Sequence, residues 1–108
     1  MSDNVMILVG GKDAVEKLEK IIFEHRDSEI TVISDRENAQ HIGKLIGLLR
    51  SKVPRINYYV FNEKSPEENA LKLFVLNKPG IIIVIGNSKP IEYILRIARK
   101  TNIQKVVS

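Results

Sequence analysis

Two kinds of apolar pattern take turns along this chain. Short runs are apolar almost without a break, as in Val5-Met6-Ile7-Leu8-Val9, Ile30-Thr31-Val32-Ile33 and Ile81-Ile82-Ile83-Val84-Ile85. The stretches between them place an apolar residue every third or fourth position, as in Val15, Leu18, Ile21 and Ile22, or Ala39, Ile42, Leu45, Ile46 and Leu49. The first pattern suits strands buried on both faces, as in a parallel sheet covered by helices. The second is the stripe of an amphipathic helix. Strands are therefore predicted over residues 5–9, 30–33, 56–61, 81–85 and 105–107, and helices over about 14–25, from the Ser34 cap to before Pro54, over about 66–76 and over about 90–100.

Punctuation along the chain agrees. Asp13 with Glu16, and Ser34 with Glu37, have the spacing of a capping box, in which a side-chain oxygen accepts amide protons of the first helical turn. Ser65-Pro66-Glu67-Glu68 adds proline at the first helical position. Pro54 ends the second helix, because the residue before proline avoids helical angles. Asn77-Lys78-Pro79-Gly80 ends the third. Strand and helix alternate throughout with short connections. This predicts an α/β fold: one domain over residues 1–108, with a doubly wound five-stranded parallel sheet in the Rossmann-like order 3-2-1-4-5. Helices on both faces make it a three-layer αβα sandwich.

The first and fourth strands end alike, in Gly10-Gly11-Lys12-Asp13 and in Gly86-Asn87-Ser88-Lys89. An open sheet of this kind binds ligands beyond the carboxyl ends of its strands, where the strand order reverses. Gly10, Gly11 and Lys12 are candidates for an anion site: free amides at a helix start attract phosphate, and Lys12 adds charge. The same residues also suit an ordinary tight turn, with Asp13 as the helix cap. Ser34, Asp35 and Arg36 end the second strand. Asp35 is placed to accept from a ribose and Arg36 to meet a phosphate, and a simple helix cap is the competing reading. Gly86, Asn87 and Ser88 line the crevice floor if strands one and four are neighbours. Gly43 and Gly47, one helical turn apart, indicate close approach to the sheet or to another subunit. Tyr58, Tyr59 and Phe61 read as packing aromatics, and His25 and His41 as surface residues without a metal-ligand partner.

Composition narrows this picture. The 108 residues contain 44% apolar residues, enough for a core, and no cysteine. Thiol catalysis, disulfides and cysteine metal sites are excluded, and a cytoplasmic setting is expected. No apolar run approaches the ~20 residues of a membrane span, and no secretory signal is recognisable at Met1-Ser2-Asp3-Asn4. The Ile-, Lys- and Glu-rich usage leans toward a thermophile. A formal charge of +4 raises nucleic acid as a partner, but the basic residues, such as Lys44, Arg50, Arg96 and Arg99, are scattered over helix faces, so that reading is not favoured.

The segment Ile82-Ile83-Val84-Ile85-Gly86-Asn87-Ser88-Lys89-Pro90-Ile91, with Ala98-Arg99-Lys100 and Lys105-Val106-Val107, is similar to the last β-α-β unit of the nucleotide-binding domain of potassium-transport regulators, the RCK or TrkA N-terminal type. Val60-Phe61-Asn62-Glu63-Lys64-Ser65-Pro66-Glu67-Glu68-Asn69-Ala70-Leu71 resembles that family's third strand, acidic turn and proline-started helix. Ile30-Thr31-Val32-Ile33-Ser34-Asp35-Arg36-Glu37 resembles its second strand, where an acid meets the adenosine ribose. The resemblance implies a non-catalytic, nucleotide- or anion-sensing regulatory domain that works as a homo-oligomer, with NAD or another adenine nucleotide as ligand. Of the family's G-x-G-x-x-G, only Gly10 is in register, with Lys12 and Val15 at the other two positions, so the glycine motif is degenerate.

Three other readings compete. A Toprim-like or other Mg²⁺-dependent nucleic-acid enzyme needs a glutamate after strand one and an aspartate pair later, and the chain offers Gly10 and Asp35-Arg36-Glu37. A receiver-like phosphoacceptor needs an aspartate where Asn62 and Glu63 stand. A sensor of cyclic oligonucleotides would bring Lys12, Arg36 and Lys89 to phosphates. No catalytic and no metal-binding residue is assigned.

Overall fold

The computed structural model describes residues 4–11, 13–61, 64–100 and 105–107. They form an α/β fold with four helices and a parallel sheet of four strands. In chain order these are β1 (Asn4–Gly10), α1 (Ala14–Glu24), β2 (Glu29–Ser34), α2 (Ala39–Leu49), β3 (Ile56–Val60), α3 (Pro66–Asn77), β4 (Ile81–Gly86) and α4 (Lys89–Lys100). The sheet order is β3-β2-β1-β4, parallel throughout. After α4, the backbone of Lys105–Val107 runs beside β4 in parallel register, Ile81 opposite Lys105 and Ile83 opposite Val107.

The unbroken apolar runs have the burial their pattern requires. Val5 through Val9 are each at most 1% exposed. Alternate side chains leave a strand on opposite faces, and β1 serves two separate cores. Val5, Ile7 and Val9 pack with Leu18 and Ile22 of α1 and Ile42, Ile46 and Leu49 of α2. Met6 and Leu8 pack with Ala70, Leu73 and Phe74 of α3 and Ile91, Ile94 and Ala98 of α4. Fully burying one such side chain contributes about 1.5–3 kcal/mol, so the central strand is the strongest anchor of the fold.

The bounds of α1, α3 and α4 fall within a residue or two of expectation, but α2 starts at Ala39 rather than directly after Ser34 and ends at Leu49, well before Pro54, and the caps do not match. Asp13 has helical angles (φ −71°, ψ −19°) and its side chain makes no cap hydrogen bond. The expected cap over Ser34–Glu37 is absent, because Ser34 belongs to β2, where it pairs with Val60 and accepts from the Phe61 amide at 2.9 Å. The α2 N-cap is Asn38, four residues later. At α3 the proline stands at the helix start as expected, but Ser65 makes no side-chain cap bond. At Ser34 the tertiary setting overrode a local preference of about 1 kcal/mol.

A polar clamp ties α3 to the amino ends of the strands. The Thr31 hydroxyl, on a residue 5% exposed, donates to Asn77 Oδ1 at 3.1 Å. Asn77 Nδ2 donates to the Leu73 carbonyl, and Asn4 Nδ2 donates to the Asn77 carbonyl. The clamp lies at the end of the sheet opposite the glycine turns.

Candidate functional site

The carboxyl rim of the sheet is set by the neighbouring placement of β1 and β4. Their last register pair is Gly10 with Gly86, so both glycine turns open on one rim where the strand order reverses. Gly86 has φ +79°, and a Cβ there would lie 1.8 Å from the Gly10 carbonyl oxygen and 3.2 Å from Ala14 Cβ. Only glycine fits such a backbone and such an approach. On the other side of the contact, a Cβ at Gly10 would lie 2.8 Å from both Cβ and Oγ of Ser88. The two turns are thus packed against each other, and the Ser88 side chain fills the space over Gly10. Ser88 Oγ is buried and has no hydrogen-bond partner among the described residues.

Gly11 is different. Its φ is +89°, and among the described residues, its chain neighbours aside, no atom lies within 4 Å of where a Cβ would be. The turn is therefore open toward solvent on the approach to α1. Asp13 is exposed and leaves the first-turn amides of α1 without the side-chain acceptor that the sequence offered. Lys12 lies outside the described residues, as do Asn62 and Glu63.

On the far side of β1, the end of β2 is held by a compact polar cluster. Ser34 is 1% exposed. Its hydroxyl donates to the Asp35 carbonyl at 3.1 Å and meets the Tyr58 hydroxyl at 2.5 Å. Either hydroxyl can be the donor of that bond. The Ala39 carbonyl, at 3.5 Å, is a further acceptor for Tyr58. Burial pushes the Tyr58 phenol above its usual pKa. The Ser34 bond opposes that shift, and the Asp35 charge adds to it. Asp35 Oδ1 accepts from both the backbone amide and Nδ2 of Asn38, at 3.1 Å each, so one carboxylate oxygen is spent holding the turn into α2. Arg36 is exposed on the same turn.

The rim thus carries, in spatial order, the β2 turn with Asp35 and Arg36, the β1 turn with Gly10, Gly11 and Asp13, and the β4 turn with Gly86, Asn87 and Ser88. Gly10, Gly86 and Ser88 are in direct contact. Ser34 is enclosed beneath Asp35 rather than presented at the surface. Two residues of this cluster were not assigned from sequence. Asn38 carried a signal, since asparagine before an apolar helical residue is a preferred cap, but the Ser34–Glu37 spacing outweighed it. Tyr58 had no local signal: it joins Ser34 only through the register Val32 with Tyr58 and Ser34 with Val60. Among the other aromatics, Phe61 is buried and stacked on Tyr93 of α4 at 6.4 Å, with the Arg96 guanidinium 5.7 Å from the Tyr93 ring centre. A Cβ added at Gly43 would lie 3.8 Å from the Tyr58 ring, whereas one at Gly47 would meet no atom of the described residues within 4 Å.

The fold and rim define an α/β domain with a parallel sheet whose order reverses between β1 and β4. No protein-family model matches the chain, and no curated protein matches it.

Proposed function

We propose that this chain is a non-catalytic regulatory domain that senses a nucleotide or another small anion at the carboxyl ends of its central strands, in the manner of the RCK/TrkA N-terminal domains it resembles in sequence. The finer architecture belongs to the same reading. Lys105–Val107 beside β4 completes a doubly wound five-stranded sheet in the order 3-2-1-4-5, and the helix pairs on its two faces make a three-layer αβα sandwich. One observation carries the reading: the glycine turns of β1 and β4 adjoin at the strand-order reversal, where open α/β sheets bind ligands.

Within this reading, phosphate oxygens approach the open side of the Gly11–Asp13 turn. There the α1 amides lack a side-chain acceptor, and Lys12 supplies positive charge. Asp35 retains a carboxylate oxygen toward a ribose, and Arg36 stands beside it. NAD or another adenine nucleotide is the favoured ligand, a homo-oligomer the favoured assembly, and the cytoplasm the favoured location.

Thermal unfolding with NAD, NADH, AMP, ATP and cyclic dinucleotides tests the proposal. A ligand present at ~100 times its Kd stabilises by about 2.7 kcal/mol, which is a rise of several degrees or more. That rise is expected with at least one nucleotide and is expected to vanish in Lys12→Glu. No shift at millimolar concentration with any of them would overturn the reading. Mg²⁺-dependent cleavage of nucleic acid that is abolished by Asp35→Ala would replace it with an enzyme.

A further inference from the structure

Strand β3 is an edge of the sheet: β2 lies on one side, and among the described residues no strand lies on the other. The Arg55 carbonyl accepts from the Ile30 amide, and the Phe61 amide donates to the Ser34 carbonyl, each at 2.9 Å. Backbone groups of successive strand residues point to opposite sides, so the odd-numbered residues here face β2. The amides and carbonyls of Ile56, Tyr58 and Val60 therefore point outward. Edge strands that stay single are commonly guarded by a charge, a proline or a bulge. Ile56-Asn57-Tyr58-Tyr59-Val60 has no charge and no proline, and its register with β2 runs without a skipped residue.

Helix α2 lies over this edge and leaves room beside it. Ala39, Gly43 and Gly47 recur every fourth residue and so share one flank. That flank is turned toward β3, since a Cβ at Gly43 would lie 3.8 Å from the Tyr58 ring and the Tyr58 hydroxyl is 3.5 Å from the Ala39 carbonyl. At Gly47 a Cβ would meet no atom of the described residues within 4 Å. No neighbour among them requires a glycine there, although glycine weakens a helix interior.

A second copy fits both features about one axis. Take a two-fold axis through Tyr58, perpendicular to the sheet. Ile56 then faces Val60 of the other copy, and Tyr58 faces its counterpart. These pairs exchange about six backbone hydrogen bonds, within the roughly 10 ± 5 of a specific interface. The helix stripe is symmetric about Gly43, so Ala39 meets Gly47 of the other copy. Gly43 lies against Tyr58, which puts both centres on the same axis. Helix α2 packs over β2 and β3, through Ile42, Ile46 and Leu49 against Ile30, Val32 and Ile56. The two α2 helices then stand two strand spacings apart, about 9–10 Å, the distance at which helices pack. Arg50 and Lys52, beyond the carboxyl end of α2, come beside the amino end of its mate, where Asp35 and Glu37 outnumber Arg36. Lys44 is exposed about 100° further round the helix than Gly43, away from the mate. A two-fold interface must be self-complementary, and strand edge and helix flank both are.

We infer that the open edge of β3 and the Ala39, Gly43 and Gly47 flank of α2 form a homodimer interface, in which two copies pair β3 antiparallel about Tyr58 and join their sheets into one. It goes beyond the nucleotide reading and requires no ligand.

Sedimentation equilibrium over a range of protein concentrations tests this. The expected mass at high concentration is twice the 12.3 kDa of the chain. Gly47→Leu fills the space meant for the mate and improves helix propensity. It is expected to weaken association about tenfold or more while raising the denaturation midpoint of the dilute single chain. Val60→Pro removes an outward amide that β2 does not use, a position where edge strands tolerate proline; it too is expected to stay folded by far-UV circular dichroism and to lose the dimer. The chain has no cysteine, so engineered thiols report the register. Asn57 lies opposite Tyr59 of the other copy, within disulfide reach, whereas two copies of either residue are too far apart. Air oxidation of a mixture of Asn57→Cys and Tyr59→Cys is expected to give a covalent dimer, and of either alone none. A wild-type chain that stays at single-chain mass overturns the inference. So does a folded Gly47→Leu or Val60→Pro that remains fully dimeric, or a mixture of the cysteine variants that does not cross-link.

Discussion

Replacing Gly86 by alanine tests the contact on which the whole rim depends. Two costs add at this position. An L-residue held at φ +79° is strained by about 1–2 kcal/mol. The new methyl would also start 1.8 Å from the Gly10 carbonyl oxygen and 3.2 Å from Ala14 Cβ. Both neighbours belong to the core of the fold, so relief requires β4 and β1 to part, at a further 1–3 kcal/mol or so. The expected loss is about 2–5 kcal/mol, out of the roughly 5–15 kcal/mol that a domain of this size has. In melting temperature that is a fall of about 8–40 °C.

Other glycines supply the internal scale. Gly11→Ala meets the same kind of strain at φ +89° but open space, so about 1–2 kcal/mol is expected. Gly10→Ala meets the Ser88 side chain, which can rotate, and the Asn87 carbonyl carbon at 2.9 Å, which cannot; it falls between. Gly47→Ala faces nothing and is expected to stabilise by about 1 kcal/mol through helix propensity. Denaturant titration of the four variants gives the order. If Gly86→Ala is no more destabilising than Gly11→Ala, the two turns do not touch as described, and the packed rim is wrong.

The polar groups make three further predictions. Tyr58 binds its proton more tightly in the folded state, so its contribution is fully present below about pH 10 and is lost as pH rises through the raised folded pKa; wild type should lose stability in this alkaline window and Tyr58→Phe should lose less, with tyrosinate absorbance reporting the ionisation. Asn77→Ala strands the buried Thr31 hydroxyl and removes the side-chain bond to the Leu73 carbonyl, for an expected 1–3 kcal/mol by chemical denaturation; a change below ~0.5 kcal/mol would remove the clamp from the account. Asp35→Ala removes the acceptor of the Asn38 amide; hydrogen exchange of that amide and of the first turn of α2 should quicken, while exchange in β1 stays as in wild type.

Much of the architecture was legible in residue order because it rests on local physics. An uninterrupted apolar run such as Val5 to Val9 cannot leave either face in water, so it must lie inside a two-sided sheet. The alternation of such runs with striped segments then admits few parallel arrangements. The pairing of two glycine-ended strands could be read in the same way, since a strand that stops in glycine at a helix start has a short list of uses. The capping boxes misled because they are local rules worth about 1 kcal/mol. Ser34 obeys instead a backbone bond to Phe61 and a side-chain bond to Tyr58, both reached across a strand pair.

Sequence by itself determined the element types, their order, the parity that sends Ile7 to one core and Met6 to the other, and the residues available at the rim. Tertiary structure alone decided how those residues are used. It brought the Gly86 turn onto the Gly10 carbonyl, folded Asp35 back onto Asn38, enclosed Ser34 under Tyr58, and left Leu71 and Val75 facing outward from a helix already buried on its other side. The physical reason is one of range. Hydrophobic period and turn chemistry are properties of a few neighbouring residues, whereas register, close backbone approach and residual exposure arise only when segments distant in the chain come to share the same space.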